Sequence, residues 1–303
     1  MPTTAATFRR WFALLLLAAA LPAGALELPD RPRAVLRQQL VPDDAVTVVV
    51  RDVADGQALV ELNADRPRNP VSVMKLVPTY AALDMLGPAY TWKTRAVADG
   101  PIERGVLRGN LYLRGGGDPL LTVERWWRFV TDLRQSGLRV IEGDIVIDDT
   151  LFAPTAERPG DFDGRPFRTY NVLPYPLLVN LHSVEFTVRP DEEGRYIDVA
   201  VSPFPANLRV DNRLAATDGR CVGRNRNFRV TSTADDPNRV VLSGTVSRSC
   251  PPQTERRVVM EPADYAYGPF RRLWEDQGGS IGGGLRRGPT PQQGRPLLEQ
   301  ESL

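Results

Sequence analysis

Asn69-Pro70-Val71-Ser72-Val73-Met74-Lys75-Leu76 sets a serine and a lysine three positions apart, at the mouth of an apolar run that continues through Val77, Tyr80, Leu83 and Leu86. On a helix, positions i and i+3 share one face, so the Lys75 ammonium reaches the Ser72 hydroxyl. A serine hydroxyl is a weak nucleophile until a neighbour takes its proton, and a lysine does this where burial lowers its pKa. A helix N-terminus adds a backbone N–H and a positive dipole end where an oxyanion could form. A helix-capping serine beside a solvated lysine would carry the same letters. The chain has ten serines but only two lysines, Lys75 and Lys93, which makes the pairing specific. Ser72 and Lys75 are the candidate nucleophile and proton acceptor. Pro78 removes the N–H that would bond to the Met74 carbonyl, and predicts a kink just after Lys75.

Before this stretch the chain reads as a short helix, Arg31 to Leu40, and then a hairpin. Its strands are Val46 to Val53 and Gln57 to Leu62, with Asp55-Gly56 at the turn. A polar loop with Pro67 and Pro70 delivers the chain to Ser72. Residues 1–25 read as a secretory signal. Arg9 and Arg10 supply its charge, Trp11 to Leu21 its apolar core, and Ala23-Gly24-Ala25 its small-residue cleavage site. The apolar core is too short to span a bilayer as a stable helix, and no later segment is long and apolar enough to do so. The net charge of +1 gives no reason to expect nucleic acid as a partner.

Export makes sense of the cysteines. Cys221 and Cys250 are the only two, and an even pair in an exported protein is most simply one disulfide. A metal site lacks support: His182 is the only histidine, and it reads as a structural residue of a strand within Val179 to Val188. No cofactor is expected.

From about Ala96 the texture changes. Val106 to Arg114 alternates and runs into Gly115-Gly116-Gly117-Asp118-Pro119, which reads as a tight turn, because no Gly-Lys-Ser/Thr follows to make a phosphate cradle. Val123 to Ser136 reads as an amphipathic helix with Trp126, Phe129, Val130 and Leu133 on one side. Trp126-Trp127 suits a core contact better than sugar stacking. Glu142 to Asp148 reads as a strand, and the spacing of Asp144, Asp148 and Asp149 fits its end and the following turn better than a metal loop. Residues 152–178, rich in Pro and Gly, form a long surface connection. The runs Ser183–Arg189, Tyr196–Val201, Phe228–Ser232 and Val240–Val246 form a β-rich unit that holds the cysteines. Asp264 to Gln277 is a last helical stretch, interrupted near Gly268-Pro269.

These stretches resemble the penicillin-binding D-alanyl-D-alanine carboxypeptidase/endopeptidase family, of the low-molecular-mass type with a large insertion. The resemblance rests on Asn69 to Leu76, Thr79-Tyr80-Ala81-Ala82-Leu83, Leu86-Gly87-Pro88 and Gly109-Asn110-Leu111-Tyr112-Leu113. It extends through Gly115 to Pro119, Gly143-Asp144, Tyr170-Asn171-Val172-Leu173-Pro174 and Leu178-Val179-Asn180. It implies an α+β fold: a serine penicillin-binding/β-lactamase-like transpeptidase domain split by a β-rich insertion. The expected division is signal peptide 1–25, catalytic part 26–95, insertion 96–262 and a return segment 263–303. It also implies a periplasmic location, with peptidoglycan stem peptides and β-lactams as ligands and an acyl-enzyme at Ser72.

The departure is as informative as the match. The family carries Ser-x-x-Lys, a later Ser-x-Asn and a Lys-Thr-Gly. Here none of the ten serines is followed by Asn at the second position after it, and the other lysine heads Lys93-Thr94-Arg95. The chain therefore reads as the N-terminal half or more of such an enzyme, cut where it re-enters the catalytic domain. Two expectations follow: an impaired peptidase, or an inactive periplasmic binding or interaction module. On either, Leu76, Val77, Tyr80, Leu83 and Leu86 cannot all find partners in the remaining hairpin and short helix.

Overall fold

The structure, a computed structural model, describes residues 27–191, 193–221, 227–233 and 235–302. The signal expected over residues 1–25 lies outside them. The chain divides at Pro88/Ala89 into two compact units.

In the first unit, helix α1 (Asp30–Gln38) carries Asp30 in its first turn and Arg37 in its last, each placed to suit the helix dipole. Strands β1 (Val48–Arg51) and β2 (Ala58–Leu62) pair antiparallel, Val48 opposite Leu62 and Val50 opposite Val60. The turn between them closes because the Asp52 and Asp55 side chains accept the N–H groups of Ala54 and Gln57, at 2.7 and 2.9 Å. Gly56 takes φ +74° there, a left-handed geometry open to glycine without strain. A 3₁₀ turn, Val71–Lys75, then runs into helix α2 (Leu76–Leu86). Pro78 falls in the first turn of α2, where backbone N–H groups have no helical partner. The change from 3₁₀ to α geometry thus comes just ahead of the proline.

The second unit holds the core. Its first half contains β3 (Lys93–Ala98), β4 (Ile102–Glu103), β5 (Val106–Leu107), β6 (Leu111–Arg114), α3 (Val123–Gln135), β7 (Val140–Ile141) and β8 (Ile145–Asp148). Five strands follow: β9 (Val184–Pro190), β10 (Ile197–Ser202), β11 (Arg209–Thr217), β12 (Phe228–Thr233) and β13 (Asp236–Ser247). The chain then makes β14 (Gln253–Arg257), α4 (Pro262–Asp276), β15 (Ser280–Ile281), β16 (Leu285–Arg287) and β17 (Arg295–Glu301). One mixed sheet has the order β16-β8-β6-β3-β17, and a smaller one β15-β7-β5-β4. Residues 263–303, expected as a return segment, thus contribute three strands to these two sheets.

Trp126, Phe129, Val130 and Leu133 recur at helical spacing on α3 and are all fully buried. The Trp126 ring stacks on Phe129 at 5.2 Å and meets Phe270 of α4 at 6.1 Å. Trp126 is therefore a core residue. Helix α4 runs through Gly268-Pro269 unbroken, contrary to the interruption expected there. Its face of Tyr265, Phe270 and Trp274 is buried on both sides of the proline, so packing holds the two halves in line. The glycines before Asp118 serve close packing: a Cβ on Gly115 would lie 2.0 Å from the Pro176 carbonyl oxygen. Asp118 is buried and pairs with Arg125 Nη1 at 2.8 Å.

Beyond these lie two three-stranded sheets, β10-β9-β14 and β11-β13-β12. Strand β11 runs parallel to β13 with Thr217 opposite Ser247, and the segments leaving those paired ends are joined by the Cys221–Cys250 disulfide, Cα–Cα 4.9 Å. His182 lies just before β9, not in a strand as its surroundings suggested. Asn180, Leu181 and His182 all take left-handed φ, 48°, 51° and 51°, and the strand begins only at Val184. The architecture is α+β throughout.

Candidate active site

Ser72 and Lys75 sit in one 3₁₀ turn, and the Lys75 Nζ donates to Ser72 Oγ at 3.1 Å. The turn is set locally. Asn69 Oδ1 accepts the Val71 N–H at 3.0 Å, and the Pro70 carbonyl accepts that of Val73 at 2.9 Å. The Lys75 carbonyl accepts the Thr79 hydroxyl at 2.7 Å, which fixes the first turn of α2 below the lysine. Val71 takes φ +47°, a costly position for a β-branched residue, immediately before the serine. Ser72 and Lys75 are both exposed. So are Leu76, Val77, Tyr80, Leu83 and Leu86, at 48–73% of their full accessibility, and no residue of α2 is buried. The five side chains expected not to find full cover are thus largely exposed.

The second lysine does other work. Lys93 Nζ bonds Glu299 at 2.7 Å and Glu301 at 3.2 Å, and Arg95 bonds Glu299 at 2.5 Å, so the Lys93-Thr94-Arg95 stretch rivets β3 to β17. Hydrogen bonds that the Lys93 ammonium donates to Glu299 and Glu301 keep it charged, its pKa raised, and those that Glu299 accepts from Lys93 and Arg95 hold its carboxylate below its usual range. The carboxylates near the end of β8 are each engaged within the fold. Asp144 accepts the Gly284 N–H at 2.9 Å, and Asp149 accepts Arg287 Nε at 2.8 Å and the Tyr175 hydroxyl at 2.9 Å. Asp148 is buried, which pushes its pKa up. Hydrogen bonds from Thr290 and Thr150 outweigh that and hold it low. Among the described residues no group of three or more His, Cys, Asp or Glu side chains is placed to hold a metal ion.

Ser72 and Lys75 are thus held within hydrogen-bond reach of each other on a short turn that leads directly into a helix. A model of the D-Ala-D-Ala carboxypeptidase 3 (S13) family matches residues 33–303, and the chain belongs to that family. It is 30% identical over 278 residues to a D-alanyl-D-alanine carboxypeptidase of Actinomadura sp. (strain R39), an alignment that covers 88% of this chain and 50% of that protein. Similarity to D-alanyl-D-alanine carboxypeptidase DacB of Haemophilus influenzae is 28% identity over 118 residues, 39% of this chain and 25% of that one. Penicillin binding protein 4 (dacB) from Haemophilus influenzae superposes with a TM-score of 0.69 at 22% identity, over 84% of this chain and 56% of that one. The same protein complexed with a novel β-lactam superposes with a TM-score of 0.61, over 84% of this chain and 54% of that one. The chain spans about half the length of the relatives it matches.

Proposed function

We propose that Ser72 is the acyl-accepting nucleophile of a D-alanyl-D-alanine carboxypeptidase/endopeptidase acting on peptidoglycan stem peptides, with Lys75 as its proton acceptor. The observation that carries this reading is the 3.1 Å contact between Lys75 Nζ and Ser72 Oγ at the start of a helix. In the step, Ser72 Oγ attacks the carbonyl carbon between two D-alanines and its proton passes to the Lys75 amine. The tetrahedral oxyanion forms beside the Ser72 N–H. Collapse breaks the C–N bond, and the leaving amine takes the proton back. Water then cleaves the Ser72 ester. β-Lactams would acylate the same oxygen by opening their ring.

These 303 residues contain neither a Ser-x-Asn nor a Lys-Thr-Gly, so by themselves they lack a second oxyanion donor and a cation for the substrate's terminal carboxylate. One missing oxyanion donor costs about 3–4 kcal/mol of transition-state stabilisation, so a Ser72 site working without those two motifs would acylate slowly. We take residues 96–262 as the inserted region and 263–303 as the return segment, whose β17 pairs with β3. Export to the periplasm is supported by the Cys221–Cys250 bridge, which persists in oxidising compartments. Among the described residues no helix is long and apolar enough to cross a membrane.

The exposed apolar row on α2 beside a well-packed second unit favours one other reading: an inactive module that binds a partner in the periplasm. Fluorescent penicillin separates the two. The 303-residue protein is incubated beside a Ser72→Ala control and labelling is followed by mass. Slow labelling that vanishes in Ser72→Ala supports the impaired enzyme. Labelling independent of Ser72 sinks it, and complete absence of labelling in folded protein favours the module.

A further inference from the structure

Against the 152–178 connection the second unit has a half-open cavity of about 990 Å³. That is within the range of small-molecule sites. Its lining is largely apolar: seven prolines, the rings of Phe152 and Phe167, and the side chains of Val258 and Met260. Five charged residues lie along it, Asp149, Glu157, Glu261, Arg158 and Arg287, and of these Asp149 and Arg287 bond each other at 2.8 Å.

His182 lines the same cavity, is only 5% exposed, and its Nε2 has no hydrogen-bond partner among the described residues. Its ring meets Tyr265 edge-on at 5.2 Å. Burial pushes its pKa down to about 4, against the backbone groups of Met260 and Val259, which favour a proton on the ring. The imidazole is therefore neutral, with one N–H and one lone pair. Since Met260 and Val259 engage the ring and Nε2 is the unpartnered nitrogen, the proton is assigned to Nδ1 and the lone pair to Nε2. A buried acceptor left unmet is costly, and such groups are rare in folded proteins. The residues that present it are themselves strained: Asn180, Leu181, His182 and Met260 all hold left-handed φ.

We propose that this cavity is a binding site for a small uncharged molecule with an apolar ring body and one hydroxyl or N–H donor, the donor seated on His182 Nε2. The prolines and the two phenylalanines offer flat apolar faces to a ring. The Asp149–Arg287 pair cancels its own charge, and a neutral imidazole offers nothing to an ion, so a charged group seated on His182 would lose its hydration without recompense. One histidine without companions is no metal site. Every lining residue lies at position 149 or later, so the site is independent of Ser72 and of the peptidase reading.

The test uses 2-naphthol and its methyl ether, 2-methoxynaphthalene, which share a ring body and differ in the donor. His182 is the only histidine in the chain, so ¹⁵N-histidine labelling gives one imidazole to follow. The full chain should bind 2-naphthol about tenfold or more tightly than the ether. The Nε2 resonance should move with the naphthol and stay with the ether. His182→Phe should abolish the preference while still holding the ring contact to Tyr265. Val172→Trp, which leaves His182 in place but fills the cavity, should lose both ligands, and Ser72→Ala should change nothing. Equal affinities, an unmoved imidazole resonance, undiminished binding in folded Val172→Trp, or no binding of either probe by folded wild-type protein would each overturn the proposal.

Discussion

His182 should make the second unit sensitive to mild acid. Its side chain is buried against Tyr265 and held neutral in the fold, with its pKa depressed from 6.5 to about 4. In the unfolded chain the ring takes up a proton as the pH falls through 6.5. The native ring does so only near pH 4. The unfolded state therefore binds more protons across that window, and native stability is lost as the pH falls through it. At about 1.4 kcal/mol per pH unit, the full window is worth about 3 kcal/mol, present above pH 6.5 and gone below about pH 4. Urea unfolding followed by tryptophan fluorescence, at steps from pH 7 to pH 4, measures this for wild type and for His182→Phe. The carboxylates that line the same cavity, Asp149, Glu157 and Glu261, are present in both proteins, so the difference between the curves isolates the histidine. The wild-type curve should fall away from the variant's by about 3 kcal/mol toward pH 4. Parallel curves, or an NMR titration that puts the native imidazole near 6.5, would refute the reasoning.

Reducing the Cys221–Cys250 bridge, which spans 29 residues of sequence, should lower stability by about 3–4 kcal/mol, measured as a fall in the urea midpoint with dithiothreitol. An unchanged midpoint contradicts this. Asp118→Ala takes the carboxylate from Arg125, which is only 16% exposed and keeps bonds to the Leu120 and Glu301 carbonyls, and should cost about 3 kcal/mol in chemical denaturation; a loss below about 1 kcal/mol would show the pair to be dispensable. Leu83→Gln should shift the stability by no more than about 0.5 kcal/mol, since that leucine is 54% exposed. Leu133→Ala, fully buried on α3, should cost about 2–5 kcal/mol. Similar losses in the two would mean that the apolar face of α2 is covered in solution.

Features set by neighbours in sequence were legible without coordinates. Ser72 and Lys75 meet because three residues of helical turn bring them together, whatever lies elsewhere. The Asp55-Gly56 turn and the buried stripe of α3 follow from local chemistry and helical period in the same way. The extent of α4 misled, because Pro269 is a local breaker that distant packing overrode. His182 misled as well, since an alternating run around it gave no sign of three left-handed residues.

The amino-acid order alone determined that Ser72 and Lys75 stand three positions apart on one turn, and which single disulfide the two cysteines could form. Only the tertiary structure decided that β17 closes on β3 across some 200 residues of chain, that β11 lies parallel to β13, and that His182 is buried against a proline-lined cavity. Strand alternation states which face is buried but not which partner buries it, so pairings at long separation and the cavities they enclose exist only once the whole chain has packed.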